Sequence, residues 1–302
     1  MFMTVSLDRG VSVFIMISGI LFLNKEIPTK KLYTKYILRL VCAFFVWAFV
    51  YALFKEGTII NKLSVAVQGH YHMWFIPMII GLYMCVPIIK TITTNEKRTK
   101  YYLLLSIIFA YIIPVIITLF RDFGNELIVK GINAIDHNIS NMHMHMVLGF
   151  AGCFVLGYQL DKISLNKKQR NFIYLLGLLG FIFTISMTAT VSIKTQHFYE
   201  NYHDDLMINV LLEAIAVYTW FKYRKYNNSK INSFIQILSK YSFGAFLVHV
   251  LILEQLDLRI GLNTLSFNPI FSVIVISLLV FVISFVLSAI LNHIPIVKKY
   301  LV

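Results

Sequence analysis

The sequence predicts an all-α fold, a polytopic integral membrane bundle of about nine transmembrane helices, and three observations carry that prediction. Of the 302 residues, 58% are hydrophobic and only 14% charged, against about 45–50% and about 25% in ordinary soluble domains. Charge-free runs of 27, 20 and 23 residues separate Lys62 from Lys90, Lys100 from Arg121 and Arg170 from Lys194, and the 38 residues from Ile260 to Val297 hold no Asp, Glu, Lys or Arg. The basic residues gather in short clusters between these runs. A helix needs about 20 apolar residues to cross the hydrocarbon core, so runs of this length are spans rather than core helices of a small soluble domain.

Taken in order, the spans are roughly residues 10–24, 37–54, 73–89, 101–120, 146–160, 171–193, 206–221, 241–256 and 269–292. The first is short at its apolar centre, and its Ser18–Gly19 pair is suited to close helix packing, because small residues let backbones approach. The second is entered from Lys30, Lys31, Lys35 and Arg39. The third opens on His72-Met73-Trp74-Phe75. Pro77, Pro87, Pro114 and Pro269 lie within or at the ends of spans, where membrane helices tolerate proline. The seventh and eighth spans each carry an acid, Glu213 and Glu254. The long connection from Arg121 to His145 holds Asn125, Asn133, Asn138 and Asn141, and reads as a polar outer loop. With no Gly/Ser linker, internal repeat or soluble domain, residues 1–302 read as a single membrane domain.

Charge sets the orientation. Alternate connections collect 20 of the 27 Lys and Arg on one side of the bilayer and 7 on the other, and the richer side is cytoplasmic. The C-terminus is therefore expected in the cytoplasm, and an odd number of spans puts Met1 outside. The net charge of +13 does not point to nucleic acid, since no basic patch interleaved with aromatics lies on one face. Cys42, Cys85 and Cys153 sit inside apolar runs without ligand-like spacing and read as packing residues.

Several segments resemble acyltransferase family 3, the membrane O-acetyltransferases of bacterial surface polysaccharides. Arg9–Leu23 (RGVSVFIMISGILFL) is similar to the family's second helix, and Tyr36–Trp47 (YILRLVCAFFVW) to the basic start of its third. His70–Lys90 (HYHMWFIPMIIGLYMCVPIIK) resembles its most specific segment, and Ser239–His249 (SKYSFGAFLVH) a late motif in which Phe246 stands for the usual Tyr. The order and spacing hold from Arg9 to Ile294–Lys299. The family's first helix, with an Arg and a His about ten residues later, has no counterpart, which agrees with the outward N-terminus. The expectation is a chain lacking one helix of its ten-helix relatives, with its transfer activity impaired.

The resemblance implies transfer of an acetyl group from cytosolic acetyl-CoA to a sugar hydroxyl of a cell-surface polysaccharide or a lipid-linked precursor, in the inner membrane of a bacterium. Lys35 and Arg39, four apart and so on one helical face, become the candidates for the CoA phosphates, which suit the planar donor fork of Arg. The plain alternative is positive-inside anchoring. His72 is a candidate base, because a neutral imidazole takes a proton near pH 7, and Trp74 offers an indole to a sugar ring. An interfacial aromatic belt would explain the same pair. Arg9 joins Trp74 as a substrate-binding candidate. Glu213, mid-span, and His249, about nine residues past Lys240 and hence about 13 Å deep, complete the catalytic set, since ionisable groups in a span are functional candidates by default. Either side chain is also explained by hydrogen bonds within the bundle.

No metal is expected. His70 and His72 are two apart and so do not share a helix face, as holds for His143 and His145, and no Cys or acid joins either pair at ligand spacing. The alternative to an acyltransferase is a polysaccharide exporter, which also places ionisable groups at the midplane but is commonly built from repeats. A sensor or assembly partner without chemistry is a third reading.

Overall fold

The computed structural model describes residues 4–224 and 228–301, and the side chains of all of these except 4–9, 269 and 270. Among the described residues the secondary structure is helical throughout, without a strand. In chain order the α-helices are α1 Thr4–Leu23, α2 Thr29–Lys31, α3 Leu38–Phe54, α4 Ile59–Gln68, α5 Phe75–Thr93, α6 Glu96–Ser106 and α7 Ile113–Phe123. They continue with α8 Glu126–Asn141, α9 Met144–Lys162, α10 Lys167–Thr195, α11 Ile208–Tyr223, α12 Ser229–Ile260, α13 Pro269–Leu291 and α14 Pro295–Tyr300. Each of the nine expected spans falls on a helix. Among the described residues, seven helical stretches are long and apolar enough to cross a membrane, α8 and α9 make an eighth if that pair, bent by 76°, is one span, and Gly10–Leu23 is a shorter apolar helix.

Two connections that read as loops are helical. α4 and α8 occupy them, and the reason lies in their periodicity. Ile59, Ile60, Leu63 and Val67 recur at helical spacing and are exposed, as expected of an amphipathic helix with its apolar face toward lipid. In α8, Leu127, Ile128 and Ile135 are likewise exposed, while Lys130 pairs with Glu126 at 2.7 Å and Arg121 with Asp136 at 2.6 Å. His143, in the left-handed region (φ 51°), turns the chain from α8 into α9.

The chain forms two compact units, residues 1–27 with 85–224 and residues 28–84 with 225–302, and the division falls inside α5. In the first unit α1 lies against α9 at very short range. A Cβ added at Gly19 would meet Phe154 O at 1.9 Å, and one at Gly157 would meet Met16 O at 2.2 Å. Only glycine permits this approach, the small-residue packing that membrane helices use. α9 is kinked at Gly149 (φ −60°, ψ −108°). The carbonyls around the kink are taken up by hydroxyls of α6 and of the π-helical turn Ile107–Ile112 that follows it: Tyr102 donates to Val147 O, Ser106 to Leu148 O and Tyr111 to Gly149 O. Without them the kink would leave backbone acceptors unpaired in a region without water.

In the second unit α3, α12 and α13 share a core that includes Ala43, Ala48, Met73, Ile76, Leu247 and Ile276, all fully buried. A π-helical turn, Leu32–Ile37, leads from α2 into α3. Trp47 Nε1 donates to Leu301 O at 3.1 Å, which ties α3 to the end of α14.

Candidate functional site

The chain between α4 and α5 builds the site. Gly69 (φ +79°) ends α4, and a side chain there would strike the Phe44 ring at 2.8 Å. The break leaves His70 extended (φ −78°, ψ 155°), as the cap of a short 3₁₀ turn, Tyr71–Trp74, that precedes α5. An extended residue followed by a tight turn brings side chains two apart together, and His70 Nδ1 lies 3.1 Å from His72 Nδ1. This corrects the expectation that the two imidazoles diverge, which presumed a continuous helix.

α12 supplies the facing wall. His249 meets His72 edge-on, with ring centroids 5.2 Å apart, and Phe246 packs on both imidazoles at 5.6 and 5.8 Å. Glu254 Oε1 lies 3.1 Å from His70 Nε2. His249 Nδ1 is 2.6 Å from Phe246 O. His70 and His72 are both buried, 8% and 9% exposed.

These contacts fix how protons are shared. A carboxylate only accepts, so Glu254 Oε1 accepts a hydrogen bond from His70 Nε2–H. A neutral His70 then presents a lone pair at Nδ1, which accepts from His72 Nδ1–H. The lone pair of His72 is left on Nε2, which is buried and has no hydrogen-bond partner. The sequence Glu254, His70, His72 thus ends, among the described residues, on an unpartnered imidazole nitrogen. It follows the logic in which a base is itself oriented by a third group. His249 donates its Nδ1 proton to a backbone carbonyl, so its own free nitrogen is Nε2.

Arg39 stands in the first turn of α3 with its guanidinium carbon 5.6 Å from the centroid of the Phe243 ring, a cation–π contact. Phe243 precedes His249 by six residues on α12, about 9 Å along the axis. A cationic group, a pair of imidazoles and a carboxylate therefore follow one another along α12. Lys35 is exposed in the π-helical turn, with Nζ 5.9 Å from the Tyr36 ring. Trp74 is 44% exposed, beside Phe75 at 6.4 Å. The side chain of Arg9 lies outside the described residues.

Of the expected catalytic residues, the structure brings His72 and His249 together, and Glu213 belongs to the other unit. There, buried in α11, Glu213 Oε1 lies 2.9 Å from Thr184 Oγ1, and Asn209 Nδ2 donates both to that hydroxyl and to Tyr202 O at 2.8 Å. Nearer the end of that unit, Tyr199 and Tyr202 both donate to the Asp122 carboxylate at 2.8 Å. Burial, and then this hydrogen bond, push the Tyr199 phenol up to about 12, so it stays a donor. α12 begins at Ser229, so His249 lies about 30 Å along its helix, beside His72.

Sequence reading noted His70 and Glu254 without placing them in the catalytic set, and passed over Tyr51. Gly69 was the available signal for the first, because a glycine ahead of His70 breaks the helical spacing. Tyr51 stacks on His70, with centroids 4.6 Å apart and planes 24° apart. Among the described residues no three His, Cys, Asp or Glu converge in an arrangement that would hold a metal ion.

Compared with known families, residues 6–291 match a family model described as an acyltransferase domain, Acyl_transf_3. No curated protein and no solved structure matches the chain.

Proposed function

Because this chain belongs to the acyltransferase 3 family, and is therefore a membrane acyltransferase, we propose that it moves the acetyl group of cytosolic acetyl-CoA to a sugar hydroxyl with His72 as the base. The acceptor in this reading is a cell-surface polysaccharide or its lipid-linked precursor, and the membrane is the inner membrane of a bacterium. The C-terminus lies on the cytoplasmic side, where 20 of the 27 basic residues gather. The single observation that carries the reading is the Glu254–His70–His72 sequence of contacts at 3.1 Å each, ending on an unpartnered imidazole nitrogen.

The chemistry balances as follows. His72 Nε2 takes the proton of the acceptor hydroxyl as its oxygen attacks the thioester carbonyl. The C–S bond then breaks, and the thiolate of CoA leaves and recovers the proton from His72. One C–O bond is formed and one C–S bond broken, with nothing oxidised. Glu254 stabilises the positive charge that passes onto the two imidazoles, as the third group of a triad does. His249 offers Nε2 as a second proton-handling atom beside His72. Arg39, with Lys35 nearby, supports phosphate binding at the donor end, since charge-assisted contacts from Arg suit phosphate oxygens. Trp74 presents an exposed indole face to a sugar ring. The exporter reading is the weaker one, because the family match favours transfer over transport.

The test is transfer of radiolabel from acetyl-CoA to envelope glycan in membranes of cells that express the chain. His72→Gln keeps a polar side chain and removes the base, so transfer falls by about 10²–10⁴. Transfer at the level of the unsubstituted chain would exclude His72 as the base.

A further inference from the structure

Tyr51, in the last turn of α3, is 2% exposed, and its hydroxyl is used in an unusual way. It donates to Leu247 O at 2.9 Å and accepts from Leu251 N at 3.0 Å. Those two backbone groups are four residues apart on α12, the pair that bond each other in a regular helix. The hydroxyl, with one hydrogen and two lone pairs, sits in a rung of the helix. The turn it occupies is the one that carries His249. The ring of the same residue stacks on His70 at 4.6 Å and meets His72 edge-on at 5.2 Å.

The hydrogen-bonding needs of α12 do not explain this arrangement. A helix inside a membrane already pairs its own backbone groups, so α12 has no need of an outside hydroxyl at this rung. If the hydroxyl were absent, Leu251 N–H and Leu247 C=O would remain opposite each other and bond directly. What the hydroxyl adds is a fixed separation between α3 and the His249 turn, while the ring sets the plane of His70.

We infer that Tyr51 is a positioning residue for acyl transfer: its ring holds His70 in line between Glu254 and His72, and its hydroxyl holds the His249 turn against His72. This rests on the reading of His72 as the base. Tyr51 touches no reacting atom in that scheme. It keeps two imidazoles and a carboxylate within the few tenths of an ångström that proton transfer requires, where a misplacement of about 1 Å can cost about 10²-fold in rate.

Tyr51→Phe tests the inference, because it keeps the stacking ring and removes only the oxygen. Initial rates are measured across a range of acetyl-CoA concentrations, with envelope glycan as acceptor, alongside His72→Gln and the unsubstituted chain at equal amounts of folded protein. The expected result is a fall in kcat of about 10- to 100-fold, a KM for acetyl-CoA within about twofold, and an unchanged melting temperature because the rung closes on itself. Unchanged kcat in Tyr51→Phe while His72→Gln is inactive would overturn the positioning role and leave the base in place. A loss that appears in KM, or that tracks a fall in melting temperature, would reduce Tyr51 to a structural residue and equally overturn it. Full activity in His72→Gln would remove the reading on which the role rests.

Discussion

Each compact unit buries a hydrogen-bonded network around an acid or an imidazole in a membrane-spanning helix, and the two networks differ in the atom on which they end. In the first unit Glu213 shares the Thr184 hydroxyl with Asn209, whose amide also reaches Tyr202 O. Within that group of three side chains, Asn209 Oδ1 is buried without a hydrogen-bond partner among the described residues. In the second, Glu254 leads through His70 to His72, and the atom left over is His72 Nε2. An amide oxygen accepts a hydrogen bond but is not a base, whereas the lone pair of a neutral imidazole nitrogen can serve as one. Ionisable residues within spans mark both networks as functional candidates. The terminal atom is what separates a network suited to bracing helices from one suited to chemistry.

The contrast is sharpened first at Glu254. Glu254→Gln removes the charge that stabilises the two imidazoles as they take up a proton. In the Ser-His-Asp template, loss of the corresponding charge lowers kcat by about 10⁴. A glutamine oxygen can still accept from His70 and lies one ring further from the base, so a fall of about 10²-fold in kcat is expected, measured as initial rates at saturating acetyl-CoA. A variant as fast as the parent would show that the chain of contacts does not work as a relay.

A smaller and different effect is expected at Arg39. Loss of one charge-assisted phosphate contact costs about 1.5–3 kcal/mol, or roughly 10- to 100-fold. For Arg39→Ala this loss falls on the KM for acetyl-CoA, with kcat within about threefold, because Phe243, against which its guanidinium packs, is about 9 Å along α12 from His249. A fall in kcat at constant KM would move Arg39 from donor binding to the reacting centre.

The fold was more legible in the sequence than the site. Hydrocarbon thickness fixes the length of an apolar run, and all nine runs are helical. α4 and α8 escaped because a search for long apolar runs overlooks short amphipathic helices, whose signal is a single face, as with Ile59, Ile60, Leu63 and Val67. In the site, His72 and His249 were each visible as imidazoles in or beside a span, but their meeting was not, since it depends on how α12 packs against the turn before α5. His70 was set aside by a rule for helices that fails after a glycine at positive φ. Tyr51 is one of 17 tyrosines in a chain that is 15% aromatic, and only the backbone groups around its hydroxyl single it out.

The central claim is that the imidazole end of the second network, and not the buried acid of the first, handles the proton of the reaction. The direct measurement compares His72→Gln with Glu213→Gln in the same membranes, at equal amounts of folded protein and saturating acetyl-CoA. Glu213→Gln keeps an acceptor for Thr184 and is expected to retain transfer within about tenfold of the parent, whereas His72→Gln falls by about 10²–10⁴. The reverse order, with Glu213→Gln inactive and His72→Gln near the parent rate, would contradict the account.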